Sequence, residues 1–328
     1  MFEVIEMTEA ELREKIKEYT HFAPRGQLSI ITDTTEFMNI RPNDVFELNG
    51  TYYLVRGDEK EERFGLEGEP KFWVKRAVDL ATGDPKIIKL VFHESFTMHL
   101  GGEEILCYRS PQKEARVLEM VKGDPAFMQG STVIDTAGNH IRIIDKIRGN
   151  SYYDFLQKLN VNHETYFHQY LPNILKQLMG CMEAMNKLHQ MGEVHGDIRN
   201  DHIFIDRNNG KYIWIDFDFT YNWSEDPFGV DLFGLGNILL FTIGKGFYSP
   251  REVAAWGPDG ERIASDLRPE DMSLFIRHRI MNLKKLFPYI PQRLNEILLF
   301  FSYGAEVFYE TAEELLEDIK ECEEKLAR

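Results

Sequence analysis

The sequence predicts an α+β fold in two parts, a small antiparallel β-sheet interrupted by one helix and then a mainly helical half. Three observations carry that expectation. Between Val45 and Leu156 short β-branched and aromatic runs alternate with turns, after Gly149 apolar residues recur at helical spacing, and 328 residues exceed one ordinary domain.

Residues 1–45 read as an extension ahead of the sheet. Within it, residues 8–19 predict a helix, because Thr8 and Glu11 are spaced as a capping box and Leu12, Ile16 and Tyr19 share one face. Strands are expected at TYYLV, KFWVKRAVDL and KIIKLVF. A helix follows, with Ser110 as N-cap, Pro111 at the first position and Ala115, Leu118 and Val121 facing inward. STVID and HIRIIDKI supply two more strands, so residues 46–149 form the sheet part and residues 150–328 the helical part.

In the helical part, Phe167, Leu171, Ile174, Leu175, Leu178, Met182, Met185 and Leu188 define one buried helix from Glu164 to His189, with Pro172 in its first turn or kinking it. Short strands are expected at VHGD, HIFID and YIWID. Helices then follow at DLFGLGNILLFT, SLFIRHRIMNLKKLF and RLNEILLFF, and a last one is capped by Thr311 and Glu314 ahead of Leu315, Leu316 and Ile319.

Composition narrows the function. With 38 basic and 54 acidic residues the net charge is −16, which repels a polyanion, so nucleic acid is not an expected partner. No apolar run approaches the roughly 20 residues of a bilayer span. The opening MFEVIEMTEAEL lacks the basic-then-apolar pattern of a signal peptide, and a cytoplasmic location is expected. Cys107, Cys181 and Cys322 are odd in number and far apart, which argues against a disulfide framework and a zinc site.

At HGDIRNDHIFID and the WIDFDF that follows it, the sequence resembles the catalytic loop and metal-binding strand of the protein-kinase-like superfamily. Other landmarks fall in that family's order. AVDLATGDPKIIKLV resembles its second and third strands, with Lys89 in place of the lysine that grips the α- and β-phosphates, and Glu114 in KEARVLEM stands where the family keeps that lysine's partner. Lys86 is the alternative to Lys89, and Glu103 and Glu104 are alternatives to Glu114. IIDKIRGNSYYDFL resembles the interlobe hinge, with Ile144 at the gatekeeper position and the backbone of Asp145 and Ile147 set to hydrogen-bond adenine. DLFGLGNILL is similar to the buried helix whose leading aspartate, here Asp231, supports the catalytic loop, and TAEELLEDI resembles the closing helix. The likeness runs from about residue 50 to the end.

The resemblance implies a two-lobed protein-kinase-like fold, with a small antiparallel β-sheet N-lobe carrying one helix and a mainly helical C-lobe. It also implies ATP bound in the cleft with Mg2+. Phosphoryl transfer asks the protein chiefly to position the nucleophile, hold metal and spread charge. In that scheme Asp197 accepts or orients the attacking hydroxyl, Arg199 stands beside the transferred phosphate, and Asp216 binds metal, with His202 and Asp218 as further metal ligands.

Four departures bear on what is phosphorylated. His202 replaces a metal-binding asparagine, and since Mg2+ prefers oxygen ligands an imidazole weakens the second site or shifts preference toward Mn2+; a histidine there also resembles bacterial lipopolysaccharide-core sugar kinases. DFD replaces DFG, so Asp218 lacks glycine's freedom at positive φ, and Gly196 of HGD replaces the arginine that senses activation-loop phosphate. Only fifteen positions separate Asp216 from Asp231, too few for a full activation segment, and Tyr309 stands near the place of the arginine that pairs with its end. No G-x-G-x-x-G lies between TYYLV and KFWV, where Gly57, Gly65 and Gly68 are interleaved with Asp58, Glu59, Glu61, Glu62, Glu67 and Glu69. The leading expectation is transfer of the γ-phosphate to a protein Ser/Thr hydroxyl. The alternatives are a small-molecule or sugar kinase and a pseudokinase acting as a nucleotide-sensing or partner-binding module.

Overall fold

Thr8 starts the first helix of the computed structural model, which describes residues 7–21, 23–60, 68–100 and 103–326. The Thr8 hydroxyl accepts from Glu11 N–H while the Glu11 carboxylate takes the Thr8 N–H at 2.7 Å, closing the expected capping box on α1 (Glu9–Thr20). The chain then forms β1 (Ile30–Ile31), β2 (Val45–Leu48), β3 (Thr51–Lys60), β4 (Pro70–Asp79), β5 (Pro85–Lys89), β6 (Ser95–Leu100) and β7 (Glu103–Arg109). After α2 (Pro111–Met120) come β8 (Gly130–Ile134), β9 (His140–Asp145) and β10 (Gly149–Ser151). The remainder is mostly helical: α3 (Tyr152–Lys158), α4 (His163–Gln169), α5 (Leu171–Gln190), then β11 (Ile203–Asp206), β12 (Tyr212–Trp214) and β13 (Phe219–Asn222). It ends with α6 (Gly229–Gly244), α7 (Pro250–Ala254), α8 (Pro258–Asp266), α9 (Leu283–Leu286), α10 (Gln292–Leu299) and α11 (Ala312–Leu326). The protein is a mixed α+β chain that divides into two units, Met1–Glu94 with Arg109–Ile147, and Ser95–Tyr108 with Arg148–Arg328.

In the first unit a seven-stranded sheet has the order β1-β2-β3-β4-β5-β9-β8, antiparallel except where β1 meets β2. Phe46, Leu48, Tyr53, Val55, Ala77, Ile88, Leu90, Ile141 and Ile143 build one core of this unit. A second core joins Leu12 and Ile16 of α1 to Leu28, Val45, Tyr52, Leu54 and Leu80, so the amino-terminal helix belongs to this unit and packs on its sheet. Ser110 caps α2 by accepting from Lys113 N–H, with Pro111 in the first turn as expected. In the β3–β4 hairpin Gly57 stands at a bulge with φ +138° and Asp58 pairs with the buried Lys75 at 2.6 Å. Glu61, Glu62, Gly65 and Glu67 lie outside the described residues.

In the second unit one small sheet runs β10-β11-β12 and another β13-β7-β6. Helix α6 is buried along most of its length, and Thr242 within it meets the Tyr152 hydroxyl at 2.7 Å while its carbonyl accepts from the Tyr166 hydroxyl at 2.7 Å. α11 packs along α5, and the Tyr309 hydroxyl donates to Asp318 of α11 at 2.6 Å.

Three expectations need correction. The single helix from Glu164 to His189 is two, α4 and α5, and Pro172 opens α5, where its missing N–H costs nothing. VHGD is irregular rather than a strand. SLFIRHRIMNLKKLF is helical only at Leu283–Leu286, because the Ser273 hydroxyl takes the Ile276 N–H and Ser273 N–H goes to the Arg279 carbonyl, so side chain and turn satisfy the backbone in place of a helix. Among the described residues no helix is long and apolar enough to cross a membrane.

Because Ile16 is fully buried in a core of its own, Ile16→Ala is expected to cost about 2–4 kcal/mol by loss of burial and cavity formation. The measurement is the urea midpoint of the first unit's transition, and an unchanged midpoint would show α1 to be dispensable there.

Candidate functional site

In the first unit, Lys89 at the end of β5 is paired in register with Arg142 on β9, so both side chains reach one face where α2 brings Glu114. Lys89 Nζ donates to Glu114 Oε1 at 2.6 Å and Arg142 Nε donates to Oε2 at 2.9 Å, with all three side chains buried. Arg142 also donates to the carbonyls of Leu90, at 3.1 Å, and His140. A buried carboxylate flanked by two cations is favourable only when each lone pair is matched, and here both oxygens are. Of the alternatives, Lys86 pairs with Asp145 at 2.5 Å at the surface, and Glu103 and Glu104 lie exposed on β7. Asp145 N–H donates to the Gln129 carbonyl at 2.9 Å, and Ile147 is the last residue of this unit.

In the second unit the chemistry-bearing residues lie on the loop after α5 and on the stretch between β12 and β13. Asp231, in the first turn of α6, anchors the loop from a fully buried position. It accepts His195 N–H at 2.6 Å, Gly196 N–H at 2.9 Å and His189 Nε2 at 3.0 Å. Burial alone would raise its carboxyl, but the hydrogen bond from His189, the charges of His189 and His195 and the Gly196 N–H outweigh that and hold it below the ordinary value.

Each residue of the HGD triplet has a distinct constraint. The buried His195 ring sits edge-on to Trp214, and its Nδ1 accepts the Asp197 N–H at 3.3 Å. Gly196 has φ +85°, and a Cβ there would lie 1.9 Å from the Phe219 carbonyl oxygen, so no other residue fits without moving the backbone. Asp197 is thereby presented at the loop's turn, partly exposed.

His202 lies between the two carboxylates. Its Nδ1 is 2.8 Å from the Asp197 carbonyl oxygen, which can only accept, so that nitrogen carries the proton. The same Nδ1 is 3.6 Å from Asp197 Oδ2, while Nε2 is 3.8 Å from Asp216 Oδ2. Asp216 is held in the left-handed region at φ +59°, whereas Asp218 is not among the positive-φ residues. The conformational demand expected at the third position of DFD therefore falls on the first, and Asp218 is buried.

Arg199 reaches Asp201 through two N–H groups, one of them Nε at 2.9 Å, and its Nη1 is 3.9 Å from Asp197 Oδ2. Burial pushes the Asp201 carboxyl up, but the charges of His202 and Arg199 and the hydrogen bond from Arg199 more than offset this and hold it low. On β7, burial and then the negative charge of Asp197 push the Cys107 thiol up to about 11.

Among the described residues no group of three or more His, Cys, Asp or Glu side chains is arranged to hold a metal ion. Asp216 Oδ2 and His202 Nε2, one oxygen and one nitrogen donor, lie 3.8 Å apart. Three residues escaped the sequence reading. Arg142 was legible as a cation at an inward position of an apolar strand, Asp201 as a carboxylate two residues past Arg199, and His189 only through its contact with Asp231.

Comparisons with protein-family models and with curated proteins each found no match.

Since the Asp231 carboxyl is held low, its contribution to stability is complete above the unfolded value of about 3.9 and is lost as pH falls through the folded value. Asp231→Asn is expected to lose several kcal/mol at neutral pH, on the order of 3, and to show a shallower acid dependence below about pH 4. Parallel acid-unfolding curves for the two proteins would show that Asp231 is not the group responsible.

Proposed function

We propose that this chain is an ATP-dependent phosphotransferase of the protein-kinase-like type, its two units being the lobes of that fold, and that it passes the γ-phosphate to a protein Ser/Thr hydroxyl. The observation that carries this reading is the setting of Asp197 and Asp216 on either side of the His202 ring, on segments anchored to α6 through Asp231. Asp197 is the group that takes or orients the acceptor hydroxyl, a role worth roughly 10²- to 10⁴-fold in rate. Asp216 with His202 is the metal pair, and its mixed oxygen and nitrogen donors suit Mn2+ at least as well as Mg2+. Lys89, fixed by Glu114, is the phosphate grip, and the backbone at Asp145 and Ile147 is the adenine edge. Arg199, oriented by Asp201, is the charge beside the transferred group. The supply of ATP makes the cytoplasm the setting of this reading.

A second reading has its own observation. Only residues 223–228 connect β13 to α6, which leaves little chain on which to dock a peptide. That favours a small hydroxyl-bearing acceptor such as a sugar.

The test is γ-phosphate labelling with Mg2+ or Mn2+ of the protein itself, of a mixed peptide pool and of a panel of small alcohols and sugars. Labelling of peptide that Asp197→Asn abolishes supports the leading reading, and labelling of small hydroxyls alone supports the second. Metal-dependent thermal stabilisation by ATP, about 2.7 kcal/mol at one hundred times Kd, without labelling of any acceptor would leave a nucleotide-sensing module. Unchanged melting with ATP and either metal would remove the nucleotide reading altogether.

A further inference from the structure

The chain leaves the first unit at Glu94 and re-enters it at Arg109, and the β6–β7 hairpin between them belongs to the second unit. Its base is closed by Arg109 N–H donating to the Glu94 carbonyl at 2.9 Å and by an ion pair between the two side chains at 3.0 Å. Its body is a sheet in which β7 lies between β6 and β13. Strand β13 begins at Phe219, directly after Asp218. A four-residue strand has little means of satisfying its own backbone, so its order depends on the strand beside it.

Side chains follow the ladder. Ile105 and Cys107 of β7 are buried, as are Phe219 and Tyr221 of β13, and the Phe96 ring meets that of Phe219 edge-on at 5.8 Å. The Phe219 carbonyl is also the group that leaves no room for a Cβ at Gly196, so β13 borders the loop that presents Asp197. Asp197 in turn lies near enough to Cys107 for its charge to act on the thiol. Hairpin, strand β13 and catalytic loop are thus contiguous within one unit.

We propose that the β6–β7 hairpin is a positioning element, which holds the segment after Asp216 in place by strand pairing and so sets the Asp197 loop without covalent modification of that segment. The effect on activity rests on the phosphotransferase reading; the effect on order does not.

Two variants of the full chain test this. In the first, residues 95–108 are replaced by Asn-Gly, a two-residue turn that suits the existing Glu94–Arg109 backbone hydrogen bond. In the second, Leu106→Pro breaks β7 from an exposed side chain, so core packing is kept, and Leu106→Thr is the strand-compatible control. Hydrogen exchange is expected to speed up at least 10-fold in peptides covering residues 216–222 for the deletion and the proline variant, with β3–β5 unchanged and the threonine control like the parent. The phosphotransfer rate is expected to fall at least 10-fold in the same two variants, through kcat rather than the KM for ATP. Unchanged exchange at 216–222 in both variants overturns the proposal whatever the activity. Faster exchange there, in a chain whose parent transfers no phosphate, supports the positioning role and overturns the reading of the activity instead.

Discussion

A single buried carboxylate organises the second unit. Asp231 has no solvent to stabilise its charge, so three donors do so instead, two of them backbone N–H groups of the loop that carries Asp197. Its place in the first turn of α6 adds the favourable end of the helix dipole. The loop cannot change shape without leaving that charge uncompensated, a penalty of several kcal/mol. The fixed points of the site, His195 against Trp214 and Gly196 against Phe219, are arranged around that anchor.

The first unit solves a similar problem with side chains alone. Glu114 is held from both sides, by Lys89 from β5 and by Arg142 from β9, and Arg142 is itself tied to two backbone carbonyls. Helix α2 is therefore fastened to the sheet through its acidic residue as well as through Val117 and Leu118. A helix so bound has little freedom to swing, which fits a site whose geometry is set by folding.

Legibility in the sequence followed how local the determinants are. Thr8, Ser110 and Pro111 announced their helix starts because a cap or an N1 proline acts within one turn. Lys89 and Glu114 were named through the family resemblance, and Arg142, though visible as a cation on an apolar strand, was not joined to them, because only the β5–β9 pairing brings it there. The β6–β7 hairpin was missed altogether: SFTMHL and EEILCYR mix polar and apolar residues without strong β-branching, and the third strand of their sheet, β13, lies more than 100 residues away. SLFIRHRIMNLKKLF failed in the opposite sense, since helical periodicity there yields to the hydrogen bonds of Ser273.

The backbone at Asp216 decides how its charge can be probed. A side chain at φ +59° is tolerated best by asparagine, aspartate and glycine, and an alanine or glutamate there adds conformational strain to whatever electrostatic change it makes. Amide replacement is the one near-isosteric exchange that removes the negative charge and leaves the main chain where it was, so in this protein any effect of truncation at that position would report backbone displacement as much as the missing charge.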